Sequence, residues 1–387
     1  MRLGKTLLTL AYFLERLRRE SEMKSNIIKF LSSAAMMAST LFIPNLAKDL
    51  GADNIQIGFI TAAFSVSMFI SSYIFGRASD LYGRKLFVYL GLGISAITLF
   101  LQVLTDPNFI IPALADLRLL TVTLCLTGFS MGIFPAALAA YVYESEGPMG
   151  EFSSFGSLGW AVGTFVAGLI YFYWGVFMWC SACTMAAFIV SLTLKNMEAP
   201  HRQVPLFPKE LIKKNWRVYF PFFLRHAGAN SIWVIYQLFI LSLGGDRFWI
   251  GVIYAVNTTV QFMVMQFLDR FEGKSLMTAG FILSAITFSL FPLAQHFSQL
   301  IPMQVILAFS FSCLYVGSLI YLMKTNEEKA TAAGILGSVE NLSKVFGSIS
   351  GGIISQFLDF RATMYFATGL TIFGFGLFKL RSHNEGK

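Results

Sequence analysis

The amino-acid sequence predicts an all-α membrane protein with twelve transmembrane helices arranged as two pseudo-symmetric six-helix bundles. Three observations support this prediction. Long apolar stretches recur along the 387 residues, basic residues fall in alternate gaps between them, and a polar linker divides the chain in half. Hydrophobic residues make up 56% of the chain, charged residues only 13%, and the mean hydropathy is +0.65. This composition excludes a water-soluble globular protein.

The apolar stretches have the length of membrane-spanning helices. A span needs about 20 apolar residues, because lipid offers no partner to backbone N–H and C=O groups. An even number of spans returns the chain to the side on which it began. The predicted spans are residues 26–46, 54–76, 85–105, 117–142, 152–173, 175–194, 218–243, 249–268, 274–295, 299–323, 330–357 and 361–380.

The basic residues predict the orientation of these spans. Twenty-three of the 29 Lys and Arg residues, Lys29 among them, fall on one side of the membrane, and four fall on the other. The positive-inside rule makes the rich side cytoplasmic. We therefore expect a multi-pass protein of the cell membrane with both termini in the cytoplasm. The same rule accounts for the net charge of +8, so no nucleic-acid partner is implied.

The linker defines the predicted domains. Residues 1–24 are interpreted as a cytoplasmic segment that contains a helix on the membrane surface. Residues 25–194 form the first six-helix bundle, and residues 218–387 form the second. Residues 195–217, which are basic and contain three prolines, form a cytoplasmic linker.

An internal repeat relates the two predicted bundles. Gly163 and Gly168 of the fifth span recur as Gly347 and Gly352 of the eleventh, 184 positions later. Internal repeats of this kind are typical of transporters that rock one half against the other around a site at the membrane midplane.

The turn after the second span carries the most informative motif. It reads Gly76-Arg77-Ala78-Ser79-Asp80-Leu81-Tyr82-Gly83-Arg84-Lys85, in which Gly83 permits a positive φ angle and Asp80 can cap a helix. Alone, the motif fits an ordinary basic turn. After the second of twelve spans, however, it resembles the cytoplasmic signature of the major facilitator superfamily, G-x-x-x-D-x-x-G-R-K.

The resemblance extends over nearly the whole chain and implies roles for particular residues. In that family the aspartate caps the cytoplasmic end of the eleventh helix, and the arginine pairs with an acid near the fourth helix. The second-half counterpart, which starts at Asp269, has one extra residue before its glycine and is interpreted as degenerate. The predicted gating motif consists of Gly76, Asp80, Gly83, Arg84 and Glu144.

Two departures from the family concern coupling and substrate. Leu124 and Thr127 stand where many proton-coupled members have Arg and Gln, and the fifth span lacks the Gly-Pro of drug antiporters. The sequence therefore gives no support to drug antiport.

Ionisable residues within spans are the candidates for coupling. Each costs a few kcal/mol in lipid, so it is expected to face a cavity or a partner. Arg225 and Glu340 lie at similar predicted depths, which permits contact, and Glu340 and Lys344 have the spacing of an ion pair on one helix. The Glu340–Lys344 spacing fits a purely structural ion pair and a proton-coupling role equally well. The candidate coupling residues are Glu340, Lys344 and His226.

Polar and aromatic residues on the seventh and eighth spans predict a binding surface. Asn230, Trp233 and Gln237 share one helix face, which suits a neutral or amphipathic organic molecule. The alternative is hydrogen bonding between helices. The candidate substrate-binding residues are Arg225, Asn230, Trp233, Gln237, Asn257 and Gln261.

The leading hypothesis is a secondary active transporter that moves a small organic solute by alternating access, coupled to protons. One alternative is an uncoupled facilitator or drug efflux permease, and another is a non-transporting membrane receptor on a transporter scaffold. The expected partners are the solute, the lipid bilayer and a proton gradient, and a monomer is expected. No enzymatic activity, cofactor or metal site is expected, because no nucleotide-binding motif or catalytic cluster occurs at a suitable spacing.

Overall fold

The computed structural model describes residues 2–52, 54–109, 115–196 and 208–380. These residues form an all-α protein, and its helices account for the twelve predicted spans. The helices are α1 (Arg2–Leu41), α2 (Ile43–Asp49), α3 (Asn54–Tyr82), α4 (Arg84–Gln102), α5 (Leu117–Ile133), α6 (Pro135–Glu144), α7 (Met149–Leu169), α8 (Tyr173–Leu192), α9 (Lys209–Ser242), α10 (Arg247–Met265), α11 (Gly273–Leu290), α12 (Leu300–Thr325), α13 (Lys329–Phe357) and α14 (Phe360–Lys379).

Two of the predicted spans are each built from two helices. The fourth span divides into α5 and α6 because Pro135 has no N–H to donate to the preceding turn. The first span consists of the end of α1 followed by α2. Since α1 starts at Arg2, the segment expected as a separate surface helix and the first span form one continuous helix.

The seventh span also starts earlier than predicted. α9 begins at Lys209, directly after Pro208, and thus includes the second half of the predicted linker. Proline is favourable at such a position because a helix start leaves N–H groups unpaired in any case.

Seven helical segments in the described part of the chain are long and apolar enough to cross a membrane on length and hydropathy alone. They are α3, α4, α5 with α6, α7, α8, α11 and α12, of which α4, α11 and α12 are each extended by a short 3-10 turn. The apolar part of α10, Trp249–Met265, is shorter. The remaining predicted spans lie in α1, α9, α13 and α14. Charged residues lower the hydropathy of α9 and α13. Within the predicted spans, Arg225 of α9 is buried, and the contacts described below place the Glu340–Lys344 pair of α13 towards the centre of the molecule.

The two halves repeat the same helix packing. α1 packs against α7 in the first half, and α9 packs against α13 in the second. A Cβ added at Gly163 would lie 2.3 Å from the carbonyl oxygen of Ala34, and one added at Gly347 would lie 2.5 Å from that of Ala227. The repeated glycines thus permit the same close helix contact twice. Together these features confirm the predicted fold of two six-helix halves.

The interface between the halves follows the same symmetry. α3, the second span, packs against α13, the eleventh; α7, the fifth, packs against α10, the eighth. We call the end of the molecule that carries the turn at Gly83 the linker end. The other end, where α2 and the turn between α7 and α8 lie, is the opposite end.

Candidate functional site

Asp80, on the last turn of α3, joins the two halves at the linker end. Its carboxylate accepts hydrogen bonds from the backbone N–H groups of Ala330 at 3.3 Å and Thr331 at 2.6 Å, and from the Thr331 hydroxyl. These N–H groups belong to the first turn of α13 and have no partner within the helix. Asp80 therefore caps α13, which is the contact that the family resemblance implies. The residue is only 2% exposed.

Arg84, at the start of α4, holds this carboxylate in place. Its guanidinium lies 2.5 Å from Asp80, and it donates to both carboxylate oxygens of Glu144 at 3.2 and 2.9 Å. Paired, bidentate contacts of this kind are stronger and more directional than single hydrogen bonds. The predicted gating residues therefore form one network, in which Asp80 and Arg84 are buried.

Two glycines of the motif make this network possible. Gly83 has φ +101°, a conformation that favours glycine, and it allows the tight turn from α3 into α4. A Cβ at Gly76 would lie 2.8 Å from the carbonyl oxygen of Ala330 and 3.0 Å from the Cα of Gly334. The backbones of α3 and α13 are thus in direct contact beside the cap.

Asp269 makes the corresponding contact from the second half. Its carboxylate accepts hydrogen bonds from the N–H of Gly150 at 2.8 and 2.9 Å and from that of Glu151 at 3.3 Å, at the start of α7. Burial against α7 raises the pKa of Asp269, an effect that the backbone N–H donors oppose. The extra residue before Gly273 thus changes the turn but leaves the cap in place, which the sequence did not predict.

Away from the linker end, the halves separate into a cleft. Gly150 and Gly168 lie 18 residues apart, which is five helical turns, and so share one face of α7. A Cβ at Gly150 would lie 2.2 Å from the carbonyl oxygen of Met265 on α10, whereas one at Gly168 would meet nothing within 4 Å.

The same comparison holds for α13. A Cβ at Gly334 would lie 2.5 Å from the carbonyl oxygen of Ser72 on α3, but one at Gly352, five turns further along, would meet nothing within 4 Å. The described halves are therefore closed at the linker end and apart at the opposite end.

Glu340 and Lys344 lie in this cleft and form the ion pair that their spacing predicts. Their charged atoms are 3.2 Å apart, and their side chains are 22% and 35% exposed. Leu342 and Phe346, on the other side of α13, are 41% and 62% exposed. Because those apolar residues occupy the outward face, the ion pair faces the centre of the molecule rather than lipid.

Arg225 lies elsewhere than predicted. It donates hydrogen bonds to the hydroxyls of Ser284 at 2.8 Å and Ser310 at 3.2 Å, and its guanidinium lies 5.4 Å from the ring of Phe288. It is therefore buried between α9, α11 and α12 within the second half. The expected contact with Glu340 is wrong, because equal depth does not fix the direction in which a side chain leaves its helix.

His226 is also buried, at 4% exposure. Its Nδ1 lies 3.0 Å from the carbonyl oxygen of Phe222, and its ring stacks on the ring of the same residue. Among the described residues, its Nε2 has no hydrogen-bond partner. The ring lies 6.0 Å from that of Phe311, at the edge of an aromatic cluster.

That cluster crosses from one half to the other. Trp160 on α7 lies 6.3 Å from Phe311 on α12, and Phe311 stacks on Tyr315 at 5.5 Å. All three side chains are half-buried. We call Trp160, Phe311 and Tyr315 the aromatic wall. The spacing of these residues does not predict that they meet, because isolated aromatic residues are common on apolar helices.

Lys29, which is counted above among the flanking basic residues, is a charged residue of the cleft. Its Nζ lies 5.4 Å from the ring of Phe152, and its Cε would lie 2.6 Å from a Cβ at Gly156. It lies within range of electrostatic attraction to Glu340. One feature of the sequence indicates this location: Lys29 falls inside the predicted first span.

Asn257 and Gln261, each 5% exposed, belong to a hydrogen-bonded chain between helices. Gln261 donates to Asn257 at 2.5 Å and accepts from Ser157 of the first half at 3.2 Å. Asn257 donates to the carbonyl oxygen of Gln304 at 3.2 Å. These contacts favour the alternative interpretation of the two residues, hydrogen bonding between helices.

The remaining candidate substrate-binding residues on α9 differ in how accessible they are to a solute. Asn230 donates to the carbonyl oxygen of His226 at 2.8 Å and to Ser343 at 3.4 Å. Trp233 packs against Tyr254 at 5.2 Å and is half-buried, whereas Gln237 is exposed. Trp233 and Gln237 thus remain accessible for a solute.

Comparisons with known proteins agree with this geometry. The sequence model described as Major Facilitator Superfamily matches residues 26–263 and 218–387. An uncharacterised MFS-type transporter of Methanocaldococcus jannaschii is 24% identical over 347 residues, which cover 82% of this chain and 86% of the relative. Multidrug resistance protein 1 of Bacillus subtilis is 23% identical over 356 residues, which cover 86% and 89%.

A solved structure shares the fold. The crystal structure of the human organic anion transporter MFSD10 superposes with a TM-score of 0.80, covering 93% of this chain and 99% of that one. The two sequences are 14% identical, so the likeness concerns the fold.

Proposed function

Because this chain belongs to the major facilitator superfamily, we propose that it is a proton-coupled secondary transporter that moves a small organic solute by alternating access. In this proposal the linker end faces the cytoplasm, both termini are cytoplasmic, the protein acts as a monomer in the cell membrane, and it catalyses no chemical reaction. The described arrangement then corresponds to an outward-open state.

The observation that carries the proposal is the Glu340–Lys344 ion pair in the cleft. Glu340 balances the charge of Lys344 at 3.2 Å in a partly exposed pair inside the membrane-spanning region, so protonation of Glu340 changes the balance of forces around it. Neutral Glu340 no longer attracts Lys344 or, across the cleft, Lys29. Proton binding thereby alters an attraction between the halves, which is what coupling to a conformational change requires.

The two aspartate caps supply the moving contacts. Asp80 and Asp269 each bind the first turn of a helix in the other half. These bonds exist only while the linker end is closed, so rocking of the halves breaks both together. A rigid-body motion about the cleft then exposes the site to the cytoplasm.

The test is Glu340→Gln in reconstituted vesicles, measured with a solute that the native protein accumulates. We expect the variant to lose accumulation driven by a pH gradient and to retain exchange of labelled for unlabelled solute. Glu210→Gln, an exposed position in the first turn of α9, is the matched control and is expected to behave like the native protein. Undiminished gradient-driven accumulation by Glu340→Gln contradicts proton coupling through this residue.

A drug efflux permease is the second candidate function. The name of the Bacillus subtilis relative, a multidrug resistance protein, favours it, as does an aromatic wall suited to flat apolar molecules. Export of several unrelated hydrophobic cations by inverted vesicles would select this candidate. The remaining alternative, a non-transporting receptor, is less favoured because both caps are retained.

A further inference from the structure

The cleft has an unequal number of positive and negative groups. Among the described side chains around it, Lys29, beside the ring of Phe152, and Lys344 are basic, and Glu340 is the acid, paired with Lys344 at 3.2 Å. The other titratable groups facing this cluster are the ring of His226 and the hydroxyl of Tyr315. One glutamate neutralises one lysine, so the cluster retains a positive charge.

A further acid of the first half lies closer to the linker end. Glu151, on the first turn of α7, accepts a hydrogen bond from Asn26 at 2.7 Å. Phe152 follows it in the chain and places its ring against Lys29 at 5.4 Å. The aromatic face gives the ammonium a weak partner, which does not replace a counter-charge.

We propose that the transported solute is an aromatic organic anion. Its carboxylate binds between Lys29 and Lys344, and its ring lies on the aromatic wall of Trp160, Phe311 and Tyr315. This inference rests on the proposed transport function and specifies its substrate class.

The charge of the cluster and the position of its two lysines in opposite halves both favour an anionic solute. An uncompensated lysine in a low-dielectric site binds a carboxylate more strongly than water-exposed lysines do. Lys29 belongs to the first half and Lys344 to the second, so a single anionic group can contact both halves. An anion bound there supplies the counter-charge that lets the cleft close around it.

His226 provides a second polar contact at the edge of the aromatic wall. The carbonyl oxygen of Phe222 can only accept, so Nδ1 carries the proton. Nε2 is then left as an unpaired buried acceptor near Phe311. This acceptor is available to a hydroxyl or amide N–H of the solute.

The test compares three ligands that share one ring system and differ in charge: 2-naphthoate, 2-naphthalenemethanol and 2-naphthylmethylammonium. The purified full-length protein is titrated with each, and binding is followed by thermal stabilisation. We expect 2-naphthoate to bind at least about tenfold more tightly than the neutral and cationic compounds, as a charge-assisted contact provides.

Variants of two lysines on α1 then test whether Lys29 binds the carboxylate of 2-naphthoate. Lys29→Met is expected to abolish the preference for 2-naphthoate, and Lys29→Arg to retain most of it. Lys24→Met is the matched control, because Lys24 pairs with Glu20 at 2.6 Å outside the cleft. Equal or tighter binding of the neutral or cationic compound, an unchanged preference in Lys29→Met, or no binding of any of the three overturns the inference.

Flux measurements separate this inference from the proposed function. Proton-driven accumulation of 2-naphthoate that needs both Glu340 and Lys29 supports both. Glu340-dependent accumulation of the cationic or neutral compound, without 2-naphthoate transport, overturns the substrate class and leaves the proposed function intact. Anion binding that depends on Lys29, without flux of any bound compound, supports the site and contradicts the transport function.

Discussion

Asp80 and Asp269 each cap a helix of the opposite half, but their surroundings differ. Asp80 is 2% exposed and is held by Arg84, which in turn pairs with Glu144. Asp269 lies at the surface, and the position that corresponds to Arg84 is Lys274, whose ammonium lies 5.8 Å from the ring of Tyr321. We call the contact of Asp80 with α13 the first gate and the contact of Asp269 with α7 the second gate. The first is an enclosed charge network, whereas the second is a cap in contact with solvent.

The backbones, in contrast, approach each other more closely at the second gate than at the first. A Cβ at Gly150 would lie 2.2 Å from the carbonyl oxygen of Met265, against 2.5 Å for Gly334 and Ser72 and 2.8 Å for Gly76 and Ala330. The comparison indicates that the two gates close the same end by different means. The first depends mainly on charge, and the second depends mainly on the fit of two backbones.

The largest effect is expected for Asp80→Asn. The amide retains the shape but lacks the charge that binds Arg84 and two N–H groups, so we expect the linker-closed state to lose about 2–3 kcal/mol. Distances between spin labels at Tyr171 and Leu358, exposed residues at the opposite end of the two halves, report this loss as a shift to shorter separations. The four native cysteines are first replaced.

A matched control for Asp80→Asn is Asp246→Asn. Asp246 caps α10 within its own half, where its carboxylate accepts from Trp249 N–H at 3.0 Å. We expect this variant to leave the label distances unchanged. An equal shift in both variants would show that loss of any helix cap, rather than the contact between halves, explains the result.

An intermediate effect is expected for Gly150→Ala. The added methyl group would lie 2.2 Å from the carbonyl oxygen of Met265 and 2.7 Å from the Asp269 carboxylate, so α7 and α10 must shift, at a cost of about 1–3 kcal/mol to the closed state. Gly76→Ala should cost less, and Gly168→Ala, in open space on the same face of α7, should cost nothing. If Gly76→Ala shifts the label distances more than Gly150→Ala does, it is incorrect that the first gate depends mainly on charge and the second mainly on the fit of two backbones.

The smallest effect is expected for Asp269→Asn. An exposed cap contributes about 0.5–1 kcal/mol, and salt screens its charge. The same pair of spin labels should show a shift clearly smaller than that of Asp80→Asn, and the effect should weaken at high ionic strength. A shift as large as that of Asp80→Asn would mean that the two gates are equivalent.

The sequence predicted those parts of the site that depend on local spacing or on the family motif. The Glu340–Lys344 pair follows from helical periodicity, and the contacts of Asp80 and Arg84 follow from the resemblance. The cap by Asp269 was missed because the extra residue obscured the motif, although a cap requires only the position of the carboxylate and not the length of the turn after it.

The number of spans and their grouping into halves were determined by the sequence alone, because lipid requires long apolar helices whatever their neighbours are. The tertiary structure decided which way each polar side chain faces. Arg225 lies among Ser284 and Ser310, and Lys29 lies against the ring of Phe152 on α7. Such contacts depend on how each helix is rotated about its axis and on what packs against it, which the spacing of residues along one helix does not specify.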